Sequence, residues 1–200
     1  MKKFISTLGL ATFMVLLMAS FTNPGKNQTF TVDTQRSSIE WLGKKVTGEH
    51  KGMIKLSSGQ LELNGNTVKG GAFTIDMNSI TCTDLQGEYG QKLVGHLKAD
   101  DFFAVDKNPT SKFQITKVTS AGANRVNITG DLTIKGITNS ITFPASVKKD
   151  GNVVVAVAKG VKIDRTKYDI KYNSKSFFSS IGDKAIEDEF ELAINLVAKK

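Results

Sequence analysis

The chain predicts an all-β protein, an eight-stranded antiparallel barrel carrying one short helical insertion at about residues 88–103. Three observations predict it. From Arg125 to Val147 apolar and polar residues alternate almost without error, with Val126, Ile128, Leu132 and Ile134 on one parity and, after Gly136, Ile141, Phe143, Ala145 and Val147 on the next. Successive side chains of a strand point to opposite faces, so this pattern makes strands with one greasy and one wet face. Second, such strands run about ten residues, above the usual five or six, and long amphipathic antiparallel strands suit a barrel. Third, Asn64-Gly65-Asn66 and Asp150-Gly151 are hairpin signals, because Asn, Asp and Gly tolerate the positive φ angles of two-residue turns.

The elements follow in order. Thr29–Thr34 opens the domain as a short edge or closing strand, and Ser38–Val46 carries Ile39, Trp41 and Gly43 on one parity. His50–Leu56 alternates, Ser57-Ser58-Gly59 breaks the run, and Gln60–Leu63 resumes it. After Thr67 the parity shifts at Gly70-Gly71, leaving Phe73, Ile75 and Met77 in phase; a glycine pair inside a strand marks a bulge or bend. Thr81–Leu85 leaves the sheet, and Glu88–Phe103 reads as a helix through Tyr89, Leu93, Leu97 and Phe102. Lys112–Thr119 is the next strand, with Phe113 and Ile115 in phase and Val118 off it. Beyond Asp150-Gly151 come Val153, Val155, Val157, Val161 and Ile163, then a polar loop, Lys167–Gly182, bearing Phe177-Phe178. Glu189–Lys200 closes the chain as a strand, although its Leu and Ala content also permits a helix.

The first 22 residues are expected to be a signal peptide. Lys2-Lys3 precedes an apolar run from Leu8 to Met18, and the small residues Ala19, Ser20 and Thr22 follow. The run is too short for a membrane span. A periplasmic or secreted protein is therefore expected, with residues 29–200 as its one domain. The formal charge of +8 falls to about +6 without Lys2 and Lys3, and the remaining cations are scattered. Nucleic-acid binding would need a basic stripe with interleaved aromatics, which the chain lacks; transient contact with an anionic membrane surface is the milder expectation, and a homodimer is left open. A lone Cys82 forbids an intramolecular disulfide and reads as a half-buried residue near a strand end.

Catalytic motifs are sparse. Cys82, His50 and His96 stand far apart without metal-ligand spacing, and Gly-x-Ser-x-Gly, His-Glu-x-x-His and phosphate-loop signatures are missing. No metal or cofactor is expected. His96 and Asp100, four apart, share a helix face and form either an acid-base pair or a stabilising contact. Arg165 pairs with Asp164, Asp169 or another carboxylate, or else meets a ligand's polar head at the barrel mouth.

The apolar stripes are the main candidates. Trp41, Phe73, Ile75, Phe113, Phe143, Val155 and Phe190 are placed to line a lumen, with Phe102, Phe103, Phe177 and Phe178 near its ends. Each serves equally to pack a solid core. About eleven residues per strand at ~3.3 Å and ~40° tilt make a slender tube nearly 30 Å tall, a shape that matches a linear hydrocarbon. Burying about twenty carbons at ~0.8 kcal/mol each offers roughly 16 kcal/mol gross, of which ordering a flexible chain removes a large part.

Three segments together resemble the YceI-like family of bacterial lipocalin-like proteins: HLKADDFFAVDKNPTSKF, with its histidine-leucine helix and Asp-Phe pair; GDLTIKGITNSITFPA, with its Gly-Asp-Leu-Thr hairpin; and IDRTKYDIKY, with its arginine loop. With Trp41 and the glycine-spaced early strands, the resemblance covers essentially residues 29–198. Asn108 departs from it, since many relatives carry an aromatic before that proline. The resemblance implies a lipocalin-like, extended eight-stranded barrel with a helix by its mouth. It also implies a long-chain lipid or isoprenoid in the lumen, as several relatives hold. The expectation is a binding protein that sequesters or carries a long apolar ligand. The alternatives are an enzyme or redox accessory acting on an isoprenoid or quinone through His96 and Asp100, and a solid-core barrel acting through its surface.

Overall fold

The computed structural model describes residues 26–200; the leader expected at residues 1–22 lies outside the described residues. The strands are β1 (Gln28–Val32), β2 (Ser38–Lys45), β3 (Gly48–Asn64), β4 (Thr67–Cys82), β5 (Thr110–Ser120), β6 (Arg125–Ile134), β7 (Ile137–Asp150), β8 (Val153–Asp164) and β9 (Ile186–Lys199), with helix α1 (Gly87–Lys98) between β4 and β5. Consecutive strands from β2 to β9 pair antiparallel, and β9 pairs back onto β2, so the sheet closes.

Nine strands occupy eight positions. β1 lies between the end of β3 (Gln28↔Leu63 to Thr31↔Gln60) and the end of β9 (Val32↔Ala198). β2 continues along the same gap, from Ile39↔Ile54 and Ile39↔Ile194 onward. The two are halves of one staggered strand. Between them Asp33 Oδ1 accepts the backbone N–H groups of Gln35 and Arg36 at 3.2 Å each, a local turn that breaks the strand without leaving the barrel.

Bulges set which residues face inward. Opposite the shift at Glu62/Leu63, Lys69 is the extra residue of β4, so Val68 and then Gly71, Phe73 and Ile75 face the same side, as the glycine pair predicts. Ser57-Ser58 is a correction: the strand is not broken there but runs unbroken for 17 residues, with a bulge that hands the inward face from Leu56 to Leu61. At the hairpin from β6 to β7, Lys135 (φ +50°) and Gly136 (φ +73°) form a two-residue turn with both central residues left-handed, which matches the twist of the strands it joins.

The helix is shorter than expected. α1 stops at Lys98, because Ala99 is extended and donates its N–H to His96 O at 3.0 Å. Two carboxylates at Asp100-Asp101 are unfavourable at the negative end of a helix dipole, and burial of Phe102 and Phe103 turns the chain away from the helix axis. Phe102 and Phe103 are thus carried by a turn, with Ala104 at φ +48°, and both are buried.

The two ends of the barrel differ. One holds the tight hairpins after β3, β5 and β7, and Phe30, Leu63, Val154 and Ala198, each fully buried, close it. The other holds α1 and the long connection from Arg165 to Ala185.

Candidate functional site

The lumen contains a cavity of about 210 Å³ lined almost entirely by apolar side chains. Along β9 its lining runs from Ile186 to Leu196. Ten residue steps at ~3.3 Å and ~40° tilt correspond to about 25 Å of barrel height. So small a volume spread over that height is a narrow tube.

Aromatic rings shape the tube. Phe73 stacks on Phe113 at 6.4 Å between centroids, and Phe113 meets Phe143 at 5.6 Å. Room for these rings comes from glycines. A Cβ on Gly130 would stand 2.4 Å from Phe113 Cζ, and one on Gly59 would stand 2.7 Å from Phe73 Cδ1. Trp41 donates its indole N–H to Thr81 O at 3.0 Å and packs over Gly52. Toward the helix-bearing end a second group forms, in which Phe103 contacts Phe102 at 5.2 Å and Phe190 at 6.3 Å.

Trp41, Phe73, Ile75, Phe113, Phe143 and Phe190 therefore all border the cavity, as do Phe102, Phe103 and Arg165 at its upper end. Val155 does not. It points outward and is 36% exposed, whereas Val154, Ala156 and Ala158 face in, opposite Ala198, Leu196 and Ile194. A bulge at Lys159-Gly160, with Gly160 at φ +63°, then returns Val161 and Ile163 to the interior. The stretch Val153–Ala158 has no polar residue to mark a face, so its parity is decided by pairing with β9. Phe177 and Phe178 are also corrections, since both are about half exposed on the loop and away from the lining. Met77 and Leu97, which the periodicity put on apolar faces without naming them for the lumen, also line it, and sequence reasoning missed Ser111. Ser111 is buried on the lining and donates to Met77 Sδ at 3.0 Å, and its small polar side chain carries no apolar signal.

Arg165 has its hydrogen bonds committed. Nε donates to Glu187 O at 3.0 Å, Nη1 to Ile170 O at 2.8 Å and Nη2 to Ile186 O at 3.0 Å, and Asp188 Oδ1 lies 3.7 Å from Nη2. Burial lowers its pKa and the charges of Asp188 and Asp164 oppose that. For Asp188, burial works against ionisation, but hydrogen bonds from Ser174 and Ser176 and the Arg165 charge hold its carboxyl below the ordinary range. Of the two expectations for Arg165, the bonding favours a partner within the protein: it ties the long connection to β9 through backbone carbonyls, with Asp188 alongside, and roofs the lumen.

His96 and Asp100 do not pair. Asp100 is held by Lys107 at 2.6 Å, while His96 Nε2 lies 3.4 Å from Asp101 Oδ2 and its ring packs edge-on against Tyr172 and Phe102. The expected four-residue spacing fails because the helix ends before Asp100. Elsewhere, His50 Nδ1 contacts Asp84 Oδ2 at 2.8 Å, and Asp84 Oδ1 accepts the Lys51 N–H at 2.8 Å and the Cys82 thiol at 3.3 Å. Burial raises the Asp84 pKa, but these three bonds outweigh it and bring the value down to about 2. Among the described residues no cluster of His, Cys, Asp and Glu has the arrangement of a metal site.

A closed antiparallel barrel of eight positions, with an apolar lumen and a helix at one end, defines the class of lipocalin-like barrels. Residues 30–198 match the YceI-like domain, and the chain belongs to that family. A UPF0312 protein of Staphylococcus aureus is 34% identical over 153 residues, 72% of this chain and 83% of that protein. A UPF0312 protein of Pseudomonas paraeruginosa is 35% identical over 40% of this chain, and there the match spans only 38% of the relative's length. Among solved structures, Burkholderia cenocepacia BcnA superimposes with a TM-score of 0.69 at 23% identity, over 84% of this chain and 99% of that one. A polyisoprenoid binding domain from Saccharophagus degradans, implicated in plant cell wall breakdown, superimposes with a TM-score of 0.62 at 11% identity, over 85% and 97%. These likenesses establish the fold.

Proposed function

We propose that this protein is a carrier, which takes a long, linear, apolar molecule, an isoprenoid or acyl chain, into the barrel and shields it from water. One observation carries the reading: the lumen is a narrow apolar tube about 25 Å tall rather than a filled core. Shape and chemistry both favour a hydrocarbon chain, because each buried CH₂ contributes ~0.8 kcal/mol and a narrow tube accepts it without gaps. The polyisoprenoid binding described for the Saccharophagus degradans domain supports the same ligand class. The leader-like first 22 residues support a periplasmic or secreted location, and N-terminal sequencing of the protein from the producing cell tests it. Light scattering of the purified protein tests a homodimer.

The carrier reading is favoured over an enzyme acting through His96 and Asp100, because those two side chains are not brought together. Mass spectrometry of organic extracts from the purified protein is the direct test. A long-chain lipid in near-stoichiometric amount is expected. An empty extract, with no uptake of isoprenoid or fatty amide on incubation, would sink the reading.

A further inference from the structure

Seven large hydrophobic side chains are strongly exposed among the described residues, and six of them lie at the helix-bearing end: Val46, Tyr89, Ile137, Tyr172, Phe177 and Phe178. The seventh, Val155, lies on the outer face of β8 below the opposite end, whose turns carry none. The tips there are Gly65-Asn66, Ala121-Gly122-Ala123-Asn124 and Gly151-Asn152. The most prominent pair is Phe177-Phe178, adjacent in sequence and about half exposed each. Around it the same connection exposes Lys167, Lys171, Lys175 and Lys184 against two carboxylates, Asp169 and Asp183. Lys171 Nζ sits 5.1 Å from the Phe177 ring centroid and 2.7 Å from Asp169 Oδ1.

We propose that this loop, with Phe177 and Phe178 at its tip, docks the helix-bearing end of the barrel onto a bilayer that contains anionic phospholipids. Rings flanked by lysines match the layered chemistry of such a surface, with cations at the phosphates and aromatic bodies at the level of the headgroups. A folded protein partner fits less well. Two phenylalanines bury at most about 150–250 Å² each, well short of the roughly 800 Å² per partner of a stable protein interface. A bilayer needs no such area, because shallow insertion of a few rings adds to the attraction of each lysine.

Docking at this end also brings the bilayer next to the upper aromatic group of the lumen. Tyr172 on the loop packs against His96, and His96 packs against Phe102, which lines the cavity. An apolar chain drawn from the bilayer would then enter the lumen without crossing water. That last step rests on the carrier reading; docking itself does not.

The test is co-sedimentation of the full protein with vesicles of phosphatidylcholine plus phosphatidylglycerol, and of phosphatidylcholine alone, with bound lipid measured separately by mass spectrometry. Wild type is expected to bind the anionic vesicles and to release at high salt, where surface charges are screened. The double variant F177S/F178S should bind at least tenfold more weakly. K171Q/K175Q should lose roughly 25-fold, about fivefold per lysine. All four positions are exposed, so melting temperatures should be unchanged, and lipid already in the lumen should be retained. Absence of vesicle binding by wild type, or equal binding by the phenylalanine variant, would overturn the proposal even with lipid in the lumen. Vesicle binding by a protein that never holds a ligand would support docking and overturn the carrier reading instead.

Discussion

The Arg165 guanidinium carbon lies 5.8 Å from the centroid of the Phe102 ring, so a buried cation and an aromatic face together roof the apolar lumen. The cation is tolerated there because three backbone carbonyls take its N–H groups and Asp188 lies alongside. Replacing it leaves those carbonyls buried and unpaired. Arg165→Met is expected to destabilise by about 3 kcal/mol or more, with Arg165→Lys in between, because an ammonium cannot reproduce the planar fork. Denaturant melts check this. If Arg165 roofs the barrel without holding a headgroup, folded Arg165→Lys protein keeps its lipid. Loss of lipid at full stability would restore the ligand role.

The lumen is tested by filling it. Phe143→Trp and Ala158→Leu add volume on the inward face and are expected to lower lipid stoichiometry while the empty barrel tolerates them. In a solid core the same changes would cost ~1–3 kcal/mol by overpacking. Thr142→Trp and Val155→Trp point outward and should change neither quantity. Thermal melting and bound-lipid counts on the four variants decide between tube and core.

Gly52 should accept no side chain. A Cβ there would meet Thr81 O at 1.8 Å and Trp41 Cζ2 at 2.7 Å, and backbone oxygen cannot move aside cheaply. Gly52→Ala is therefore expected to cost at least about 2–3 kcal/mol. Gly43→Ala, where a Cβ would have open space, is expected to be near neutral by the same urea melt.

Asp84 predicts an acid limit to stability. Its carboxyl falls from the ordinary 3.8 to about 2 in the folded protein, so the unfolded chain binds its proton first as pH drops. The contribution is full above about pH 4 and is lost as pH falls through about 2. Asp84→Asn should flatten that part of the stability profile, measured by melting across the acid range. An unchanged slope would show that other carboxyls set it.

Tyr168 predicts the alkaline side. Burial, helped by the nearby charge of Asp164, pushes its phenol up to about 12, and its hydroxyl has no hydrogen-bond partner among the described residues. The folded form keeps its proton longer than the unfolded chain. Stability should therefore decline between about pH 10 and 12. Tyr168→Phe should remove this decline and leave stability at neutral pH equal or up to about 1 kcal/mol higher, since a buried unpaired hydroxyl is costly.

Strand identity was determined locally in this protein. Alternation from Arg125 to Val147 and the turn residues at Asn64-Gly65 and Asp150-Gly151 specify hairpins through nearest-neighbour geometry, and the lining residues Phe73, Phe113 and Phe143 fall on the parity that alternation marks. The parity shift at Gly70-Gly71 was legible for the same reason, because glycine announces a bulge.

Other features were decided only when distant segments met. Val153–Ala158 is apolar on both parities, so pairing with Leu196 and Ala198 alone chose Ala156 over Val155 for the interior. For Arg165 the sequence offered a carboxylate partner or a ligand headgroup, whereas its main acceptors are backbone carbonyls at Ile170, Ile186 and Glu187, atoms every residue carries and no side-chain pattern reveals. His96 found Asp101 rather than Asp100 because burial of Phe102 and Phe103 turned the chain away from the helix axis. Local rules place a residue on a face. Which face lies inside, and what the polar groups of the roof bond to, is set by long-range pairing and burial.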